Sequence, residues 1–501
     1  MGQKKGDKSL KLNFIMNALL TMSSFIFPLI TFPYVSRVLL PVGTGKVSFA
    51  TSLISYFSIF AQLGIPTYGI RACAKVRDNR EELTRTAHEL LIINLVMDVI
   101  SYLALSAVLV FVPRLQEDKM LYVVVSFTIV LTSVGMEWLY KALEQYTYIT
   151  VRSIMFKFIA LIAMFLLVRE QEDYVIYGGI TIFASCASNI FNILNVHKYI
   201  SMKLVWGYDI KRHLKPVFVF FAMSCATTIY THIDTVMLGF MATDEDVGYY
   251  NAAVRIKSIL VSIVTSLGTV LLPRASYYIE QGKMDEFRRI SRKALNFVFI
   301  VALPIMLYFI LYAQQGIYFL SGTAYTGSIL PMQIIMPTLL FIGLTNILGI
   351  QILVPLGREK TVLYSEIAGA IVNLVVNALL IPRFTSAGAA VSTVVAELNV
   401  LAVQYFALRD QVSDIFKSVS YWKIVLGLLA GSVSSYWVTN LQFGNFITLV
   451  TTVCLFFGIY GGVLLVTRER ITIDIFNQMI AGIEKKYLKM LARRGHIMDN
   501  F

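Results

Sequence analysis

Nine ionisable residues interrupt stretches of this chain that are otherwise apolar: Arg152, Lys157, Arg255 and Lys257 on the basic side, Asp98, Glu137, Asp234, Glu366 and Glu397 on the acidic side. A charge in an apolar stretch is costly unless it is paired or faces a hydrated cavity. Basic side chains in such a cavity suit phosphate or carboxylate oxygens, and acids suit cations or protons. Each candidate also has a purely structural reading. Glu137 and Lys141 are spaced i,i+4 and can pair on one helix. Asp234 and Arg255 come to similar depth if a hairpin joins their helices, so an ion pair between them competes with contact to a substrate. Arg152 and Lys157 can extend their heads to the nearer membrane surface. Asn94 stands i,i+4 from Asp98 and can hydrogen-bond to it, and Asn189, Asn192 and Asn195 suit helix–helix contacts.

The elements that carry these residues follow from composition. With 57% hydrophobic residues, 15% charged residues and a mean hydropathy of +0.70, the chain lies outside the range of soluble domains, whose charged share is about 25%. Its apolar runs of roughly 18–25 residues match a helix crossing a bilayer. A membrane barrel would show short alternating strands instead. The expectation is an all-α integral membrane protein with about fourteen spans, near 12–35, 46–68, 87–112, 120–141, 149–168, 175–196, 216–240, 249–272, 294–315, 329–355, 361–381, 388–408, 422–438 and 445–466. On these placements Asp98 and Glu397 are the deepest charges, roughly 14–16 Å from the ends of their spans. Pro28 and Pro33 fall inside the first span, where each removes a backbone donor and predicts a kink.

Basic residues orient the spans. With the N-terminus inside, Arg37, Lys46, Arg114, Lys119, Arg169 and Arg383 are the only ones in outer loops, which "EDK", "EQED" and "TDED" make acidic. Both termini are therefore expected in the cytoplasm. The segment "GIPTYGIRACAKVRDNREELTR" from Gly64 to Arg85 becomes a cytoplasmic loop between spans two and three, a topology anchor against anionic lipid headgroups. The net charge of +13 has the same origin, and nothing calls for nucleic acid.

No loop exceeds about 20 residues, which leaves no room for an inserted domain. Cys73, Cys186, Cys225 and Cys454 fall in spans or on the inner side and predict no disulfide framework. A weak repeat relates "GTGKVSFATSL" at 43–53 to "DVGYYNAAVRI" at 246–256 when Gly45 is aligned with Gly248. It predicts two pseudo-symmetric six-helix halves, 12–196 and 216–408, joined by a cytoplasmic linker at 197–215. A cytoplasmic N-terminus at 1–11, an added helix pair at 422–466 and a basic cytoplasmic tail at 467–501 complete the plan. The histidines at 88, 197, 213, 232 and 496 form no metal motif, and no phosphate loop or nucleophile elbow is present. An enzyme is not expected, and the absence of a filter-like repeat argues against a channel.

The chain as a whole resembles the Wzx-type polysaccharide repeat-unit flippases of the multidrug/oligosaccharidyl-lipid/polysaccharide exporter superfamily. The likeness is carried by the fourteen-span plan, by "FPYVSRVLLPVGTGKVSFATSLISYFSIFAQLGIPTYGIRACAKVRDN" at 32–79, by "HIDTVMLGFMATDEDVGYYNAAVRI" at 232–256 and by "SAGAAVSTVVAELNV" at 386–400. It implies a bacterial inner-membrane carrier of undecaprenyl-pyrophosphate-linked oligosaccharide, working by alternating access beside membrane lipids and other assembly proteins such as a polysaccharide polymerase. Such a cargo needs a hydrated groove with cations for its diphosphate, and Arg152, Lys157 and Arg255 are the expected contacts. Pro28 is the expected gating position. Sodium-binding members of the superfamily join an acid on the seventh span to polar groups on the eleventh and twelfth. Here Asp234, Asn373, Asn377 and Thr393 match that pattern and imply Na+ or H+ as coupling ion, although Asn377 replaces an expected carboxylate. Lipid II flippases of the superfamily carry early arginines, whereas this chain has none between Lys11 and Arg37, which weakens a lipid II reading. A drug/cation antiporter is the alternative within the superfamily, and a membrane scaffold is the alternative outside it.

Overall fold

The computed structural model describes residues 2–203, 205–417, 419–441, 443–473 and 477, with the side chains of 2–11, 25, 267–270 and 272–273 left aside. Most of the expected tail at 467–501 falls outside the described residues, and of the lysines expected to mark the N-terminus only the backbone is described.

Among the described residues every regular element is helical. In chain order these are α1 (Gly2–Gln62), α2 (Ile65–Lys75), α3 (Arg80–Phe111), α4 (Pro113–Gln116), α5 (Lys119–Gly135), α6 (Glu137–Ala142), α7 (Tyr146–Leu167), α8 (Tyr174–Ile182), α9 (Asn189–Asn195), α10 (Lys211–Met241) and α11 (Asp244–Glu280). They continue as α12 (Met284–Leu311), α13 (Ala313–Ser321), α14 (Ile329–Ile335), α15 (Thr338–Thr345), α16 (Glu359–Lys417), α17 (Tyr421–Tyr436) and α18 (Asn445–Val466). Nine helical stretches among the described residues are long and apolar enough to cross a bilayer, or ten if the pair bent by 45° at Met336–Pro337 counts as one span. Large apolar side chains such as Phe14, Leu103, Phe111, Val433 and Val466 point outward, as lipid-facing surfaces do. The protein is an all-α, multi-pass membrane protein.

Two of these stretches are far too long for one crossing. α1, at 61 residues, breaks at Leu40 (φ 58°, ψ 179°). Leu40 precedes Pro41, and the proline ring disfavours helical dihedrals in the residue before it. α16, at 59 residues, breaks at Thr385 (φ 44°, ψ −122°). There Gly388 folds against the backbone of Leu380, leaving no space for a Cβ. In both places a single residue turns the chain where a loop of several was expected. Helical dihedrals run on through Pro28 and Pro33, so the break in α1 stands at Leu40 and not at the prolines predicted to kink it.

The segment expected as a loop after Gly64 is largely helical. α2 carries Arg71 and Lys75, and α3 begins at Arg80, where the Asn79 side chain accepts from the backbone N–H groups of Glu81 and Glu82. Such a cap satisfies amides that the first helical turn leaves open. Only Val76–Asn79 remains as a connection.

By internal contacts the chain divides into two compact units. One comprises Met1–Arg255, Leu320–Pro331 and Glu366–Ala396; the other comprises Ile256–Phe319, Met332–Ser365 and Glu397–Phe501. In the first, Leu63, Ile65, Leu83, Leu90, Trp138 and Leu139 form a core beneath α2 and α3. In the second, Val298 on α12 packs with Leu344 on α15 and with Leu348 just beyond it, and Gly427 and Gly431 let α17 lie close against Tyr460 and Phe456 of α18. All four cysteines are free thiols.

Candidate functional site

The first unit contains a cavity of ≈ 550 Å³ bounded by α1, α6, α7, α8 and the start of α11. Local backbone features aim its polar residues. Met136, in the left-handed region (φ 44°), ends α5 and opens α6, so Glu137 stands in the first turn of α6. Acidic side chains are favoured there by the helix dipole. A π-type segment, Phe183–Ala187, widens the turn after α8 and presents Ala184 and Ser185 to the cavity; such bulges recur at functional sites.

Lys157 and Arg255 both line this cavity. Lys157 Nζ donates to Ser23 Oγ and Ser24 Oγ, each at 2.9 Å. The Arg255 guanidinium lies 4.7 Å from the centre of the Phe32 ring. Among the described residues neither forms an ion pair. Lys141 also faces the cavity and pairs with Glu137 at 2.8 Å, as its spacing predicted. Three cations therefore line a space that holds one acid. Arg152, expected beside them, is buried outside the lining: it donates to the Ser188 carbonyl (2.8 Å) and to Asn189 Oδ1 (3.3 Å), and it lies 3.6 Å from Glu137. It braces the acid from behind. Pro28 lines the cavity from α1.

Asp234 does not pair with Arg255. Its Oδ2 accepts from Tyr250 Oη at 2.6 Å and Thr393 Oγ1 at 2.9 Å, and its Oδ1 from Asn377 Nδ2 at 2.6 Å. Asn377 Nδ2 also donates to Asn373 Oδ1 at 2.7 Å. The fold thus gathers all four residues of the predicted cation pattern, buried, together with Tyr250, whose role no spacing disclosed. Hard cations take oxygen lone pairs, whereas here the Tyr250 hydroxyl and the Asn377 amide turn hydrogens onto the carboxylate, and the Thr393 hydroxyl shares its one proton between Asp234 and the Ala389 carbonyl at 3.0 Å. The Asn377 carbonyl oxygen is buried without a partner. As arranged, the cluster does not fit a bound cation.

The remaining acids stand elsewhere. Asp98 is buried, with Oδ1 accepting from Ser133 Oγ at 2.8 Å and Oδ2 unpartnered. Asn94, its expected partner, instead donates to the carbonyls of Ala61 and Gln62 (3.0 and 3.3 Å), satisfying acceptors that the end of α1 leaves open. Asn192 bridges to the Gly135 carbonyl at 2.7 Å, as a helix–helix contact should. Glu397 is buried in the second unit.

Residues 10–279 match the family model described as polysaccharide biosynthesis protein, and residues 220–379 match the MatE model. A putative O-antigen transporter of Escherichia coli (strain K12) is 24% identical over 80% of this chain and 97% of its own length. The corresponding putative O-antigen transporter of Shigella dysenteriae is 25% identical over 80% of this chain and 100% of its own. Among solved structures, the inward closed conformation of the lipid II flippase MurJ superposes with a TM-score of 0.71 over 91% of this chain and 100% of that one, at 15% identity, a likeness of fold.

Proposed function

This chain belongs to the polysaccharide biosynthesis protein family, transporters of the multidrug/oligosaccharidyl-lipid/polysaccharide superfamily and not enzymes, and from that membership we propose that it flips undecaprenyl-pyrophosphate-linked oligosaccharide repeat units across the bacterial cytoplasmic membrane for capsule, O-antigen or exopolysaccharide synthesis. The observation that carries this reading is the cavity lined by Lys157 and Arg255, neither of which forms an ion pair among the described residues. Cations in a membrane interior demand compensation. A diphosphate that enters from the membrane supplies it, and the prenyl tail stays in lipid. Arg152 contributes by holding Glu137, which keeps that acid engaged with Lys141 at the cavity wall. A cationic drug would meet net repulsion there, which disfavours the antiporter alternative.

The transport cycle is alternating access between two six-helix halves, with fourteen spans and both termini in the cytoplasm. The breaks at Leu40 and Thr385 support this count, because each divides an over-long stretch into two helices of membrane-crossing length. A strain lacking the gene should accumulate lipid-linked repeat units. Arg255→Lys should restore part of polymer export, whereas Arg255→Ala should fail at normal membrane abundance. Full export by Arg255→Ala together with Lys157→Gln would refute the headgroup assignment.

A further inference from the structure

A second cavity in the first unit, ≈ 320 Å³ in volume, plays no part in the reading above. Thr51, Ser55 and Gln62 reach it from α1, Thr128 from α5, and Ser224 and Thr228 from α10. Polar side chains inside a membrane bond across to a neighbouring helix or back onto their own. Those that α1 sends here do the latter. Thr51 donates to the Val47 carbonyl (2.7 Å), Ser55 to the Thr51 carbonyl (2.8 Å) and Gln62 to Ser58 Oγ (2.8 Å), each within its own helix. The Thr128 hydroxyl oxygen is buried and unpartnered, and among the described residues the hydroxyls of Ser224 and Thr228 make no hydrogen bond.

What such a lining can hold follows from its groups. Hydroxyls that spend their proton on their own helix still offer lone pairs, and unbonded hydroxyls rotate to donate or accept. No Lys, Arg, Asp or Glu is among the lining residues, and the lining histidine, His232, bonds Ser52 Oγ through Nδ1 at 3.2 Å, so the cavity offers no fixed counter-charge to a phosphate or an ammonium group. A neutral polyhydroxyl supplies donors and acceptors in the density these side chains require. The space, enough for about ten waters, admits a sugar ring with its hydration. We propose that this cavity is a saccharide subsite, which takes neutral sugar residues of the cargo apart from the cationic cavity that takes the diphosphate. The link to a lipid-borne cargo rests on the function proposed above; the affinity for sugar does not.

The test compares two probes on the whole protein in nanodiscs: undecaprenyl pyrophosphate without sugar, and the same carrier bearing one to three neutral hexoses. The wild-type protein should bind the glycosylated carriers about tenfold more tightly, as two or so well-made hydrogen bonds imply. Gln62→Leu with Ser224→Val should erase that difference and leave affinity for the sugar-free carrier unchanged. Thr51→Val with Thr228→Val serves as a second pair if the first lowers thermal stability. Equal wild-type affinity for both probes, or a difference that survives both pairs, overturns the subsite. If the sugar-free carrier does not bind at all, the diphosphate reading falls and labelling decides this one. Free neutral oligosaccharide should then protect Ser224→Cys from a maleimide, and undiminished labelling at saturating sugar overturns the proposal.

Discussion

The backbone nitrogen of Gly248 lies 2.9 Å from the place a Cβ on Gly45 would occupy, and a Cβ on Gly248 would in turn meet the backbone of Pro41. These two glycines are the positions that align the repeat of 43–53 with 246–256. Equivalent residues that each receive the other's strand of chain are what a local pseudo-twofold axis produces, and only a hydrogen fits between backbones at that distance. Gly45→Ala drives its methyl into the Asp244 carbonyl and should sharply reduce folded protein and transport. Gly458→Ala, on a helix face with nothing within 4 Å, should be neutral or slightly stabilising, since alanine favours a helix over glycine by about 1 kcal/mol. Thermal unfolding of the two purified variants checks the contrast, and equal behaviour would remove the close approach from the explanation.

Glu89 organises one end of the first unit. Its Oε2 accepts from Arg212 Nη2 at 2.6 Å and bonds His213 Nε2 at 2.7 Å, its Oε1 accepts from the Asp209 amide at 2.6 Å, and Tyr68 Oη bonds His213 Nδ1 at 2.8 Å. One wholly buried carboxylate thereby ties α2, α3 and the start of α10 together. Removing one member of a buried charged set costs about 3 kcal/mol, because the partner is left desolvated. Glu89→Gln should lower the unfolding temperature by several degrees, and His213→Ala by less. A Glu89→Gln midpoint within about one degree of wild type would contradict the tie.

How far these arrangements could be read beforehand depended on the range of the interaction. Span length follows from bilayer thickness, so the ends of α17 and α18 fall within a few residues of the expected ones. The Glu137–Lys141 pair is local to one helical face and was equally legible. Arg152 and Lys157 were not separable, because a five-residue offset on α7 does not say which side faces neighbours: one binds Ser188 and Asn189, the other faces a cavity. The Asp234–Arg255 pairing failed for the same reason. A hairpin sets depth but not rotation, and Tyr250, five residues earlier on α11, points where the arginine was expected. The turns at Leu40 and Thr385 were hidden because a single residue outside helical dihedrals leaves no run of loop-forming residues.

Pro28 lines the cationic cavity and deprives the Ser24 carbonyl of its helical partner. Straight dihedrals with a missing bond make α1 easier to bend there than at its neighbouring turns, which suits a helix that opens and closes the cavity. Pro28→Ala restores the donor and should stiffen α1. Maleimide labelling of Thr31→Cys, also on the lining, should then change in rate by severalfold relative to the same cysteine in a wild-type background. An unchanged rate would leave Pro28 as a packing residue.

Coupling turns on the cluster around Asp234. The carboxylate is buried and, among the described residues, has no cationic partner; Tyr250, Thr393 and Asn377 donate to it instead. With Asn377 where a second carboxylate would draw in a cation, the cluster lacks the charge that sodium binding would use. Turning the Asn377 amide through half a turn would present its unpartnered oxygen toward Asp234, but it would also set two acceptors against each other and give up two hydrogen bonds. Each such bond, one of them to a charged group, is worth about 1–3 kcal/mol, so weak sodium binding at most is expected. Transport of lipid-linked oligosaccharide into proteoliposomes should therefore respond to an imposed proton gradient more than to a sodium gradient, and Asp234→Asn should abolish the response. Sodium-driven transport lost in Asp234→Asn would establish the cation shell against this geometry, and indifference to both gradients and to the substitution would leave the cluster as a tie among α10, α11 and α16.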